Sequence, residues 1–313
     1  MHRAVLLTEV VTWLGPRPGG VYIDGTAGSG GHARAVAECM TGTGKLLVLD
    51  HDAEALDRAR QALGERAESC TFVRANFADI GAVARENGFE RVDGVLLDIG
   101  VSSNQLDDPE RGFSFMHDGP LDMRMDRRGS RTAADLVNTL PENELSDVLW
   151  RYGEEPRSRA IARAILKRRA TAPFRRTGEL ADVALGIYGG RRGRIHPATR
   201  SFQALRIAVN DELGALERGL EGGLDLLAEG GRMVVISFHS LEDRIVKHCF
   251  AQHQGRWESL PAGGRSWAGQ CPPVRVLTRK PVTATDEECE VNPRARSAKL
   301  RAAERKNDHG TAE

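Results

Sequence analysis

The sequence lacks the features that mark membrane proteins, disulfide-rich proteins and zinc ribbons. No apolar run approaches the roughly 20 residues that a membrane-spanning helix requires. The five cysteines are scattered singly and none forms a C-x-x-C pair, which argues against a disulfide framework or a zinc site. The N-terminal apolar stretch is interrupted by Glu9 and is followed by no small-residue cleavage site. We therefore expect a cytoplasmic protein with reduced thiols, no membrane segment and no metal.

The net charge of zero conceals an uneven distribution of charge along the chain. Residues 111–210 carry 19 Lys and Arg against 11 Asp and Glu, so the rest of the chain carries a matching acidic excess. A basic segment of this kind is typical of a surface that faces a polyanion. A solvated, arginine-rich helix face gives the same count. Both interpretations stay open on composition alone.

Strand and helix patterns alternate in the first third of the chain. Short apolar segments predict strands over 20–24, 45–50, 71–75 and 92–98, and amphipathic patterns predict helices over 32–40, 53–63 and 80–87. Apolar strands that are joined by helices of this length favour a parallel sheet with right-handed crossovers. The sequence therefore predicts a doubly wound α/β core.

Strand-like sequence then stops until residues 232–238, an interval too long for a structureless loop. Helical patterns fill the interval at 132–140, 142–152, 158–169 and 177–188, with prolines between several of them. We predict a helical insert over 107–196, and a core that is formed by 1–106 and 197–313. A long helical pattern over 197–227 returns the chain to the sheet. A helix over 241–251 and two last strands near 274–279 and 295–302 complete the core.

A glycine-rich turn, DGTAGSGGH at 24–32, joins the first predicted strand to the first helix of the core. Glycines allow the backbone to turn sharply and to approach a ligand closely. Such a turn alone does not separate dinucleotides, phosphates and S-adenosylmethionine. Its neighbours are more informative, because Asp24, Asp50 and Asp98 each end a predicted strand.

These acidic strand ends favour S-adenosylmethionine over a dinucleotide. Asp50 suits the ribose hydroxyls of either cofactor, but Asp24 lies where it would repel a pyrophosphate and attract an amino-acid moiety or a sulfonium. Phe77, after the third strand, offers an aromatic face to an adenine ring. Asp98 ends the fourth strand, at the crevice where open α/β sheets bind ligands. Three carboxylates beside one glycine turn make strand capping a weaker explanation.

Five long blocks of the sequence are distinctive: 22–32, 96–126, 196–213, 236–247 and 292–305. These blocks closely resemble the bacterial 16S rRNA cytosine N4-methyltransferases, the ribosomal RNA small subunit methyltransferase H family. The resemblance implies a class I S-adenosylmethionine-dependent methyltransferase whose sheet ends in an antiparallel hairpin, with a helical substrate-recognition insert. It implies 16S rRNA in the small ribosomal subunit as partner, while the sequence leaves the oligomeric state open. The implied cofactor pocket comprises Gly30, Gly31, His32, Asp50, Phe77, Asp98 and Gln105.

The catalytic side chain stays open at this stage. The exocyclic amine of cytosine is a poor nucleophile, so an acceptor for its N–H would help to localise the lone pair. Ser102, Asn104 or backbone carbonyls of the loop after the fourth strand are candidates, and so is His239 after the fifth. The spacing of Ser240 and Asp243 favours a helix-capping box there, which gives His239 a structural alternative. No cysteine follows either strand closely, which argues against carbon-5 methylation.

Two further functions fit parts of the sequence. An NAD-dependent oxidoreductase would use the same sheet, but Asp24 and the late strand pair disfavour it. A non-catalytic RNA-binding protein with a methyltransferase fold would have no need of the intact pocket residues. Among candidate RNA contacts, Phe113 and Phe115 could stack on a flipped base, although core positions are slightly favoured. The arginine-rich loop 191–200 is either a phosphate contact or a solvated loop.

Overall fold

A computed structural model describes residues 4–41, 43–190, 196–259 and 265–306. The chain forms two compact units, one made of Met1–Gly100 with Leu213–Glu313 and the other of Val101–Glu212. We call them the sheet unit and the helical unit. The predicted insert, 107–196, lies within the helical unit, which extends beyond it at both ends.

The sheet unit is built on a seven-stranded sheet in the order β3-β2-β1-β4-β5-β9-β8. The first five strands of that order are parallel, and β9 runs antiparallel to both β5 and β8. The strands are β1 (Val21–Asp24), β2 (Lys45–Asp50), β3 (Cys70–Arg74), β4 (Val92–Asp98), β5 (Leu227–Ser237), β6 (Arg256–Ser259), β7 (Arg265–Ala268), β8 (Val274–Val276) and β9 (Lys299–Arg305). A parallel sheet that ends in an antiparallel hairpin confirms the class I methyltransferase fold that the resemblance implies.

Helices cover both faces of this sheet and form the core of the helical unit. In chain order they are α1 (Leu7–Leu14), α2 (Gly31–Cys39), α3 (Ala53–Leu63), α4 (Ile80–Glu86), α5 (Ser103–Asp107), α6 (Ala133–Thr139), α7 (Glu142–Gly153), α8 (Ser158–Arg169), α9 (Thr177–Ile187), α10 (Ala198–Asn210), α11 (Glu212–Leu226), α12 (Ser240–Gln254) and α13 (Asp286–Val291). No helix of the described ranges is both long and apolar enough to cross a bilayer.

Alternation along the central strands divides the apolar residues of the sheet unit between two cores. On β2, Leu47 and Leu49 face one core, whereas Leu46 and Val48 face the other. Successive side chains of a strand point to opposite faces, so a strand that is buried on both faces is apolar throughout. This arrangement explains why the parallel strands were readable as continuous apolar runs.

The helical unit has a core of its own, which α6 to α10 surround. Helix α6 begins with a capping box, in which Thr132 and Asp135 exchange side-chain-to-backbone hydrogen bonds. The single helix predicted over 197–227 is instead two helices. Asp211 adopts a left-handed conformation with φ 48° and ends α10. The sequence prediction missed this break because aspartate is not an obvious helix terminator.

Two differences concern the end of the sheet unit. The last strand, predicted at 295–302, begins only at Lys299, because Pro293–Ser297 form a 3₁₀ turn. The segment between the helix predicted over 241–251 and the strand predicted near 274–279, where no strand was predicted, contains the antiparallel pair β6–β7, in which Trp257 lies opposite Trp267 in register. Tryptophan favours strands, but each of these strands is only four residues long and glycines lie close to both. The glycines therefore obscured the strand pattern.

Candidate cofactor site

The carboxyl ends of β1, β2 and β4 meet at the glycine turn between β1 and α2. The turn is bonded to the strands beside it, since the Gly25 N–H donates to Leu96 O at 2.9 Å and the Ala27 N–H donates to Leu49 O at 2.8 Å. Gly30 has φ +79°, and a Cβ there would lie 2.7 Å from Ala59 Cα. Both conformation and space therefore require glycine at this position.

Asp50 anchors the turn while keeping acceptor capacity. Its Oδ2 accepts the N–H of Gly28 at 3.0 Å, and its Oδ1 accepts the N–H of Asp52 at 2.9 Å. The residue is only 9% exposed. Each carboxylate oxygen has two acceptor positions, so each retains one after these bonds. Two adjacent ribose hydroxyls need acceptors of this kind.

A hydroxyl links the ends of β4 and β1. The Asp98 N–H donates to Thr26 Oγ1 at 2.7 Å, and Thr26 Oγ1 lies 3.5 Å from Asp24 Oδ1. The same oxygen of Asp24 accepts the Thr26 N–H at 3.1 Å, which is an Asx-type turn. Thr26 therefore holds the two carboxylates in place. Thr26 was not among the predicted site residues, although an aspartate two residues before a threonine at a strand end is a recognisable signal for such a turn.

His32 lies in the first turn of α2, between these carboxylates. Its Nε2 is 3.5 Å from Asp98 Oδ2, and the residue is 5% exposed. Burial lowers the pKa of His32, but the charges of Asp98 and Asp24 outweigh burial and leave the pKa raised. Burial raises the pKa of Asp24 to about 7, against the attraction of His32. The pKa values of His32 and Asp24 are thus both raised, and a bound cation would lower both.

Several buried polar atoms of this group have no hydrogen-bond partner among the described residues. They are Asp24 Oδ2, Asp98 Oδ1 and both ring nitrogens of His32. Buried acceptors without partners are costly and point to a ligand that supplies the missing donors. Two carboxylate oxygens that await donors suit the cationic amino-acid and sulfonium end of S-adenosylmethionine and disfavour a pyrophosphate. The residues present therefore fit that cofactor.

Gly31 and Phe77 also border the turn. Gly31 begins α2, and a Cβ there would lie 2.9 Å from Ala4 Cβ. Phe77 is half-buried, and its ring packs on α11, where a Cβ at Gly219 would lie 2.6 Å from Phe77 Cδ2. Its own Cβ lies 3.4 Å from the position of a Cβ at Gly25. The ring is therefore fixed at the edge of the turn.

Ser102 and Gln105 belong to the helical unit and bond to each other. Gln105 Oε1 accepts the Ser102 N–H at 3.1 Å, and Ser102 Oγ accepts the Gln105 N–H at 3.3 Å. This reciprocal pair starts α5 in the manner of a capping box. Gln105 is 4% exposed. The side chain of Asn104 lies outside the described set, so its candidacy stays a prediction.

His239 caps α12 with its own ring. Its Nδ1 accepts the Glu242 N–H at 3.4 Å, and Glu242 Oε2 accepts the N–H groups of Phe238 and His239 at 2.8 and 3.2 Å. The capping box predicted at Ser240 and Asp243 is therefore one residue too late, because an imidazole nitrogen replaces the expected hydroxyl. A helix start thus occupies Nδ1, and the catalytic candidacy of His239 stays a prediction.

The candidate RNA contacts fall into three groups. Phe113 is a core residue with 6% exposure. Phe115 is half-buried and stacks on His196, with ring centroids 4.6 Å apart, and its edge contacts Phe202. Residues 191–195 of the arginine-rich loop lie outside the described residues.

Comparison with known proteins identifies the family to which the chain is similar. The model of the MraW methylase family matches residues 1–306. A relative from Geobacter sulfurreducens, "Ribosomal RNA small subunit methyltransferase H", is 54% identical over 306 residues, which cover 97% of this chain and 98% of the relative. A relative of the same name from Heliobacterium modesticaldum is 50% identical over 307 residues, with the same coverage. The solved structure of a putative rRNA-methylase from Clostridium thermocellum aligns over 97% of this chain and 99% of that one, with a TM-score of 0.45 and 9% identity. This similarity is too low to support any conclusion beyond the strand order already described.

Proposed function

The chain belongs to the MraW methylase family, and from that membership we propose that it methylates the exocyclic N4 of a cytosine in 16S rRNA of the small ribosomal subunit. It is an S-adenosylmethionine-dependent methyltransferase, and the names of its relatives support the rRNA substrate. One observation of the structure carries the cofactor assignment: the partnerless buried oxygens of Asp24 and Asp98 beside a glycine turn. Oxidoreductase chemistry with NAD is disfavoured by the same carboxylates. We expect the enzyme to work in the cytoplasm, where small subunits are assembled.

The cofactor supplies an electrophilic methyl group on a sulfonium. Asp24 and Asp98 would accept hydrogen bonds from the amino-acid end of the cofactor and would offset the positive charge of its sulfonium. His32 would hold Asp98 in place. Asp50 would accept the ribose hydroxyls through the lone pairs that Gly28 and Asp52 leave free. The remaining pocket residues of the sheet unit in this proposal are Gly30 and Gly31, whose missing side chains allow close approach, and Phe77 against the adenine. The assignment of Gln105, which lies in the helical unit, rests on the family resemblance alone and stays a prediction.

Catalysis would then depend mainly on holding the acceptor nitrogen in line with the methyl group. His239 Nδ1 has a single acceptor position and already accepts a helix N–H, and Ser102 Oγ uses one of its two acceptor positions in the same way. Their structural roles favour a backbone carbonyl of the loop after β4, or Asn104, as the acceptor for the cytosine N–H. Substitution separates the two, because Asn104→Ala removes a side-chain acceptor and leaves the carbonyls intact.

The helical unit offers a surface for the RNA. From residue 156 to residue 178 the chain carries eight Arg and Lys and no acidic residue. Arg159, Arg163 and Lys167 are exposed at intervals of one helical turn on α8, and we call them the α8 stripe. Arg163 lies 3.5 Å from Glu142, whereas Arg159 and Lys167 have no ion-pair partner among the residues that the structure describes. Phosphate contacts of this kind position RNA without reading its sequence.

Deletion of the gene in its host tests the substrate. Small-subunit rRNA from the deletion strain is digested to nucleosides and analysed by mass spectrometry, alongside strains that are complemented with wild type or with Asp98→Asn. We expect N4-methylcytidine, alone or with a further ribose methyl group, to disappear on deletion and to return only with the wild type. An unchanged nucleoside profile in the deletion strain would refute the proposal.

A further inference from the structure

A second cluster of polar side chains lies in the sheet unit, apart from the glycine turn. Glu221 on α11 and Cys249 and His253 on α12 place a carboxylate oxygen, a thiol sulfur and an imidazole nitrogen all within 4.8 Å of one another. His253 is fully buried, Cys249 is 7% exposed and the side chain of Glu221 is half-exposed. Cys249 and His253 are four residues apart, so a helix presents both on one face.

The contact of His253 with the backbone fixes which ring nitrogen faces the cluster. Its Nδ1 lies 2.9 Å from Pro272 O, and a carbonyl oxygen only accepts, so Nδ1 carries a proton. Its Nε2 lies 3.1 Å from Glu221 Oε2. A histidine that donates one N–H to a backbone carbonyl while its other nitrogen faces a carboxylate and a thiol has the arrangement of a metal ligand with its orienting partner.

The distances match those between ligands of one zinc ion. With Zn–N and Zn–O near 2.1 Å and Zn–S near 2.3 Å, tetrahedral ligands lie about 3.4 Å apart for N and O and about 3.6 Å apart for S and O. Here Nε2 and Oε2 are 3.1 Å apart, and Cys249 Sγ and Glu221 Oε1 are 3.8 Å apart. The carboxylate thus turns one oxygen to each of the other two ligands.

We propose that Glu221, Cys249 and His253 bind one divalent zinc ion. The site has three protein ligands, and water would complete the tetrahedral set. Thiolate, imidazole and carboxylate together favour Zn²⁺ over Mg²⁺ or Ca²⁺, which prefer oxygen alone. The ion joins α11, α12 and the segment at Pro272, so its role is to stabilise the sheet unit. No metal was expected from the sequence, because the carboxylate lies on a different helix from the thiol and the imidazole and because the cysteines have no C-x-x-C spacing.

Burial and the charge of Glu221 raise the pKa of the Cys249 thiol to about 12. A divalent cation reverses that influence, because it lies between the thiol and the carboxylate and favours the thiolate. Binding therefore releases the thiol proton to solvent as the Zn–S bond forms. The competing arrangement is metal-free, with His253 Nε2 in direct contact with Glu221 Oε2.

Titration of the full-length protein with Zn²⁺ against a chromophoric chelator distinguishes the two arrangements. We expect one equivalent to bind, with affinity at least about tenfold weaker in Cys249→Ser and in Glu221→Gln. Substituted Co²⁺ should show a thiolate charge-transfer band in the wild type and in Cys289→Ser, a control that removes a half-buried thiol of α13, but not in Cys249→Ser. Glu221→Gln keeps its size at a half-exposed position, and its far-ultraviolet circular dichroism checks the fold. Equal Zn²⁺ affinity in the wild type and these two variants, or a Co²⁺ spectrum without the thiolate band, would overturn the proposal.

Discussion

Replacing Asp24 by asparagine should make the cofactor-free enzyme more stable and less able to bind its cofactor. Asp24 is 1% exposed, and its Oδ2 has no partner among the described residues. Burial raises its pKa from 3.8 to about 7. Folding therefore takes up a proton between these two pH values, and the stability that this group contributes falls as the pH rises through that window.

The size of the effect follows from the pKa shift. A shift of about three pKa units corresponds to about 4 kcal/mol, and this is the most that ionising Asp24 costs the folded state above pH 7. Asp24→Asn removes the cost, so its stabilisation should approach that value at pH 8.5 and be near zero at pH 4. Asparagine keeps an oxygen for the Thr26 N–H but places an N–H donor where the cofactor requires an acceptor. The affinity of the Asp24→Asn enzyme for S-adenosylmethionine should therefore fall about 100-fold. This factor corresponds to the free energy of one charge-assisted hydrogen bond together with its desolvation cost.

Urea unfolding at several pH values measures the first effect, and calorimetric titration of the cofactor measures the second. Asp52→Asn serves as control, because asparagine and aspartate cap helices equally well and Asp52 accepts the Glu54 N–H at the start of α3. Asp52 also lies 3.9 Å from Arg58, so the stability of this variant should differ from that of the wild type by no more than about 1 kcal/mol at any pH, the most that a surface ion pair usually contributes. A destabilised Asp24→Asn at pH 8.5, or one with unchanged cofactor affinity, would refute the reasoning.

Three further changes test other parts of the site. Asp50→Ala should raise the dissociation constant of the cofactor at least about 100-fold, through the loss of bonds to a charged acceptor worth about 1.5–3 kcal/mol each, and calorimetry would contradict this with an unchanged value. Gly30→Ala should lower the unfolding free energy by about 1–3 kcal/mol. The loss should exceed that of Gly88→Ala, because Gly88 also has a positive φ but has open space where a Cβ would lie. Equal losses would refute the close contact with Ala59. Neutralising Arg159 and Lys167 with glutamine should reduce the slope of log affinity for rRNA against log salt by about 2, whereas two exposed cations at the amino edge of the sheet, Lys45 and Arg66, should leave it unchanged when neutralised.

The sequence was sufficient for the elements whose patterns are local. Helix α3 is found at its predicted bounds, as is α8, because each has an amphipathic period and a clear start. The first, second and fourth strands were equally readable as short apolar runs that end in aspartate. What the sequence obscured were positions where one residue takes an unusual conformation, such as the left-handed Asp211 that separates α10 from α11.

The site shows the same division. The carboxylates at the strand ends were visible in the sequence because parallel strands bring their carboxyl ends to one edge. Thr26 was not, because its bond to the Asp98 N–H joins residues 72 positions apart. The cluster of Glu221, Cys249 and His253 was hidden for the same reason, since tertiary packing of α11 and α12 assembles it. Ring nitrogens as helix caps are uncommon, and this explains the misplaced capping box at His239.

Methyl transfer by the purified enzyme tests the central claim most directly. The enzyme is incubated with methyl-labelled S-adenosylmethionine and small ribosomal subunits from the deletion strain, and the rRNA is digested to nucleosides for mass spectrometry. The account predicts label in N4-methylcytidine or its ribose-methylated form with the wild type, and none with Asp98→Asn. Label in another nucleoside, or no label from an enzyme that binds the cofactor, would contradict it.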